Sequence, residues 1–97
     1  MINRIKNIII TGHYEIKFVK SFRGFSNTPI KGFIMPENDI ILINQNLNDQ
    51  EKITTIIHEF IHEIEPNWSE HQVEKTCLKL YKQLNQPDYH FFLSLIR

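Results

Sequence analysis

Ile53-Thr54-Thr55-Ile56-Ile57-His58-Glu59-Phe60-Ile61-His62-Glu63-Ile64 decides the reading of this chain, because two patterns overlap in it. The first is apolar: Ile53, Ile56, Ile57, Phe60, Ile61 and Ile64 recur at helical spacing and mark one buried stripe. The second is chemical: His58, Glu59 and His62 form an H-E-x-x-H match at the edge of that stripe. Residues four apart share a helix face, so both imidazoles can point at one metal ion. Zinc suits two histidines, and Glu59 stands where its carboxylate can take a proton from a water that the metal activates. That pairing of a Lewis acid with a general base hydrolyses amides.

Working outward, Asn48 is the expected N-cap, Asp49 favours the positive end of the helix dipole, and Glu51 completes a capping-box spacing. Pro66 stops the segment, so the pattern predicts a helix near 49–64. Ser69 can cap a second helix with Gln72 at its third position. Val73, Cys77, Leu80, Tyr81 and Leu84 form its apolar face, and it runs near 70–84 until Asn85-Gln86-Pro87. The tail 88–97 carries Tyr89, Phe91, Phe92, Leu93, Leu95 and Ile96, too apolar for a free end, and is expected to dock on the core as a short helix.

Upstream, residues 4–10 are rich in isoleucine and lead through Thr11-Gly12-His13 to 14–20, where Tyr14, Ile16 and Phe18 alternate with mostly polar neighbours; together they predict a hairpin. Residues 21–29, with Phe22, Arg23 and Phe25, read as a loop. Residues 30–35 and 39–43 flank Pro36-Glu37-Asn38 and predict a second hairpin, with 30–35 the edge on which a peptide could add as a further strand. The fold class is therefore α+β: a small antiparallel sheet of three to four strands packed on the motif helix and on a second, antiparallel helix, in a single domain over 1–97.

Bulk composition narrows the function. Ninety-seven residues allow one modest core, and net charge is zero. Lys17, Lys20 and Arg23 are the one local basic cluster, which argues against direct nucleic-acid binding. Cys77, the single cysteine, falls on an apolar helix face and reads as a buried thiol in a reducing compartment. The first apolar run, Ile8-Ile9-Ile10, is too short for a signal peptide and no stretch is long enough to span a bilayer, so the expectation is a cytoplasmic protein with no membrane partner.

A catalytic zinc takes three protein ligands and one open position, so His58 and His62 need a partner. No histidine follows at the metzincin spacing. The second helix offers Glu70, His71 and Glu74. With a tight antiparallel connection at 65–68 and a rise of about 1.5 Å per residue, the level of the motif is reached at 73–74, which favours Glu74, with Glu70 next and His71 the weakest. An oxyanion donor would also be needed, and His71, Tyr14, Tyr81 and Tyr89 are the candidates.

With the motif helix followed by Val73-Glu74-Lys75-Thr76-Cys77-Leu78-Lys79-Leu80-Tyr81, the chain resembles the short, phage-type members of the ImmA/IrrE-like zinc metallopeptidases, a gluzincin-type set, over about residues 13–84. The resemblance implies a minimal zincin-like fold and zinc held by His58, His62 and Glu74. It implies Glu59 as general base, and hence a zinc metalloendopeptidase acting on a protein or peptide. Larger members cleave DNA-binding repressors of phages or mobile elements, so a repressor is among the substrates implied. Phe60 and Ile61 fill positions where a small residue is common, and Cys77 stands where alanine is usual; these alter packing and leave the ligands intact. The rival expectation is a catalytically silent protein of the same fold that binds a protein partner as inhibitor or adaptor.

Overall fold

The motif segment forms the longest helix of the protein, in a computed structural model that describes residues 1–20 and 31–97. Its start is set by the anticipated capping box: Glu51 N–H donates to Asn48 Oδ1 at 2.8 Å, and Asn48 N–H donates to Glu51 Oε1 at 3.2 Å. The chain runs α1 (Ile2–Thr11), β1 (Glu15–Val19), β2 (Gly32–Met35), a 3₁₀ turn (Pro36–Asn38), β3 (Ile40–Asn44), α2 (Asp49–Ile64), α3 (Glu70–Lys82) and α4 (Gln86–Leu95). This is an α+β fold. The loop expected at 21–29, with Arg23, and Ile30 of the proposed edge strand lie outside the described residues.

The apolar stripe of α2 goes where its period sends it. Ile53, Ile56, Ile57, Phe60 and Ile61 are all fully buried, and the sheet lies on one side of them with the other helices around. Val73 and Cys77 of α3, Phe92 of α4 and Ile41 and Ile43 of β3 complete one continuous core. The tail docks as expected. Asn85 Oδ1 accepts from Asp88 N–H at 2.8 Å to start α4, and Lys6 Nζ reaches Asp88 Oδ1 at 2.8 Å, fastening α4 to α1.

Two sequence expectations are corrected. Residues 4–10 are a helix, not a strand, and make no hairpin with 14–20. The isoleucine run favours a strand locally, but Ile5 and Ile9 are buried while Ile10 is more than half exposed, and Ile2 and Ile8 pack against the same core. Their spacing is a helical stripe, and burying it outweighs the β-branched preference. The helix ends at Gly12, whose N–H donates to Ile8 O at 2.9 Å; a Cβ there would stand 2.7 Å from that same oxygen. His13 follows in the left-handed region at φ 52° and turns the chain into β1.

The sheet is mixed, with order β1-β3-β2. β2 and β3 form the expected antiparallel hairpin, with Ile34 opposite Ile41 and Asp39 at φ 53° closing the turn. β1 instead pairs with β3 in parallel, Ile16 beside Ile41 and Phe18 beside Ile43. The most apolar strand, Ile40-Ile41-Leu42-Ile43, takes the centre; β1, with Glu15 and Lys17, is left at one rim.

β2 lies at the opposite rim, hard against the motif helix. A Cβ on Gly32 would come within 2.4 Å of Thr55 Cγ2 and 3.1 Å of Leu42 O, so only glycine lets the strand approach here. Gly32→Ala is therefore expected to lower stability by about 1–3 kcal/mol in a denaturant titration. Thr55→Ser, which removes the clashing methyl, should restore part of that loss in the double variant; full additivity of the two single effects would contradict the contact.

Candidate metal centre

Three contacts in steps of about one turn fix how α3 lies along α2. His62 meets Glu70, His58 meets Glu74, and the Cys77 thiol donates to Thr54 O at 3.1 Å. The helices are thus antiparallel, as anticipated, and the acidic edge of α3 faces the histidine edge of α2. The Ser69 cap, with Oγ accepting from Gln72 N–H at 3.1 Å, begins α3 one residue before Glu70 and so holds that carboxylate at the mouth of the site.

The two imidazoles converge through their Nε2 atoms, which are 3.2 Å apart. Two nitrogens bound to one tetrahedral zinc would be separated by about 3.3–3.4 Å. Glu70 spans the pair, Oε1 lying 2.7 Å from His58 Nε2 and Oε2 lying 3.1 Å from His62 Nε2. Ligand atoms of His58, His62 and Glu70 all fall within 4.8 Å of one another, a grouping able to hold a metal ion. Two imidazoles and one carboxylate are a donor set suited to zinc, and they fit the group.

Glu74, the residue favoured as third ligand from helix depth, is elsewhere. Its Oε2 is 3.0 Å from His58 Nδ1, on the far side of the ring from Nε2. The depth argument finds the right level, since Glu70 and Glu74 bracket it, but it does not distinguish the two nitrogens of one imidazole. An ionised carboxylate only accepts, so with a metal bound Glu74 would keep a proton on Nδ1 of His58 and leave its Nε2, which faces His62 and Glu70, to the ion. His71 lies on the exposed side of α3.

Glu59 lines the same cleft and is partly buried. Burial, then the charges of Glu70 and Glu63, push its carboxyl up from 4.5 to about 7. A divalent cation beside it would act in the opposite direction and favour the carboxylate that a general base requires. In metal-free protein the raised value means that Glu59 contributes stability below pH 4.5 that is lost as pH rises through about 7. Wild type is expected to lose up to about 2 kcal/mol over that window relative to Glu59→Gln, after allowance for partial exposure, in denaturant titrations with chelator present. Parallel pH profiles for the two proteins would contradict it.

The cleft has a volume of about 450 Å³, and Thr54, Thr55, Gly32 and Lys31 complete its lining with Cys77. Cys77 is 1% exposed, a core thiol as expected; burial first and Glu74 second push it up to about 12. None of the four oxyanion candidates lines this cleft. Tyr14 packs edge-on against Phe60 with centroids 5.0 Å apart, near Glu63, and Tyr81 and Tyr89 line a separate pocket between α3 and α4. Lys31 was not singled out by sequence reasoning; the available signal was its place in the segment read as an edge strand beside the motif helix.

No helix among the described residues is long and apolar enough to cross a membrane. No protein-family model, curated protein or solved structure matches the chain.

Proposed function

We propose that the protein is a small zinc-dependent peptidase, of the kind the ImmA/IrrE-like enzymes exemplify, acting in the cytoplasm on a protein or peptide. The observation that carries this reading is the pairing of two Nε2 atoms 3.2 Å apart under one carboxylate with a partly buried second carboxylate, Glu59, in the same cleft. A structural metal would need no general base, so Glu59 favours catalysis over a passive ion.

His58, His62 and Glu70 would hold the ion, which supplies Lewis acidity toward the scissile carbonyl and acidifies water. Glu59 takes the proton of the attacking water and returns it to the leaving amine. Glu74 fixes the His58 ring through Nδ1 and strengthens its Nε2 as a donor. The β2 edge, which has no strand partner on its outer side among the described residues, would hold the peptide backbone as an added strand.

The test is hydrolysis of a quenched fluorogenic peptide library by the zinc-supplemented full chain. Cleavage that stops with phenanthroline and returns with zinc supports the reading. Zinc bound with no cleavage of any peptide or unfolded protein would favour the rival, a metal-bearing protein that works by binding a partner.

A further inference from the structure

The proposed metal ligands and general base all come from α2 and α3, the helical wall of the cleft. On the opposite wall, Lys31 stands immediately before β2 and lines the same cavity as His58, Glu59 and Glu70. Its carbonyl accepts from Asn44 N–H at 2.9 Å, which fixes its backbone to the sheet while the residue as a whole stays exposed. Lys31 and Cys77 line the same cavity, and the Lys31 charge lowers that thiol in small part, behind the backbone hydrogen bond at His58 and against the raising by burial and Glu74. Among the described residues no carboxylate lies within ion-pair distance of it.

The other charged side chains that line the cavity, His58 aside, are Glu59, Glu70 and Glu74. Glu70 and Glu74 face histidine nitrogens, and Glu59 is reserved for proton transfer, so none of the three needs Lys31 as its partner. A cation held on the rim of a cleft with low-dielectric walls attracts an anion from the ligand side.

We propose that Lys31 determines the specificity of this cleft by receiving a carboxylate of the bound peptide beside the bond presented to Glu59. That carboxylate is an Asp or Glu side chain or a free chain terminus. This rests on the peptidase reading of the same site. An ion pair partly removed from water discriminates a carboxylate from its neutral amide by about five- to tenfold.

The probes are fluorescein-labelled, blocked alanine hexapeptides with a single Glu, Gln or Lys placed at each position in turn, and an all-alanine hexapeptide with a free or an amidated C-terminus. Binding is followed by fluorescence anisotropy to the zinc-loaded Glu59→Gln protein, which holds peptides without turnover. It is compared with the same protein carrying Lys31→Met or Lys31→Glu, and zinc content is measured in each.

The expected result is a five- to tenfold preference for Glu over Gln, or for acid over amide, with the arm that responds naming the source of the carboxylate. The preference should vanish with Lys31→Met and turn toward the Lys peptides with Lys31→Glu, at unchanged zinc content. Equal binding of charged and neutral peptides, a preference that survives Lys31→Met, or no peptide binding by zinc-loaded protein overturns the role of Lys31. Wild type that takes up no zinc overturns the peptidase reading itself, and the role of Lys31 with it.

Discussion

Glu59→Gln is expected to keep one zinc per chain and to lower peptide hydrolysis by about a hundred- to ten-thousandfold. The side chain is not part of the His58, His62 and Glu70 grouping, so metal content should not respond. Its replacement is nearly isosteric and removes the carboxylate charge together with the ability to take up a proton. The same change should leave the affinity of a binding partner unaltered if the protein acted by association alone. Kinetics and zinc content measured on one preparation therefore separate the catalytic account from the binding account. Retained hydrolysis in Glu59→Gln would remove Glu59 from the mechanism.

Glu70→Ala is expected to weaken zinc far more than Glu74→Gln. Glu70 approaches the Nε2 atoms of both histidines, at 2.7 and 3.1 Å, so its loss removes one of the three proposed donors. Glu74 acts through the Nδ1 of His58, and partners of that kind typically change metal affinity by about 10–100-fold. Competition against a chelator of known affinity would read both. The account predicts a shift within that range for Glu74→Gln and a larger one, with most zinc lost during purification, for Glu70→Ala. The reverse order would make Glu74 the ligand and Glu70 an acceptor at the rim. Because Glu70 is exposed in the first turn of α3, its loss should cost the fold little, and the unfolding midpoint without metal is the control.

The legible parts of the fold are those where several local signals agree. α2 combines a capping box, a six-residue apolar stripe and a proline just beyond its end, and its observed limits are those expected. α3 has the Ser69 cap and its buried Val73 and Cys77. α1 has neither a side-chain cap nor an acidic first turn, and its isoleucines satisfy a strand preference and a helical period at once. Only its contact with the core decides between them. The parallel pairing of β1 with β3 was hidden for a related reason: alternation identifies a strand, while its neighbour depends on which strand can best occupy the centre.

In the candidate site, helical spacing was enough to place His58 and His62 on one face with Glu59 beside them, because all three come from one rigid element. The carboxylates that meet these histidines come from another helix, and a chain-length estimate of depth resolves about one turn. That is the distance between Glu70 and Glu74. Lys31 was harder still, since its place in the cleft depends on Gly32 letting β2 lie against Thr55, a contact that exists only once sheet and helix are packed.

The most direct test of the central claim is native mass spectrometry of the full chain with stoichiometric zinc, wild type beside His58→Ala and His62→Ala. The account predicts one zinc ion on wild type and the bare chain for both variants, each still folded. A bare wild-type chain, or zinc retained when either histidine is removed, would contradict it.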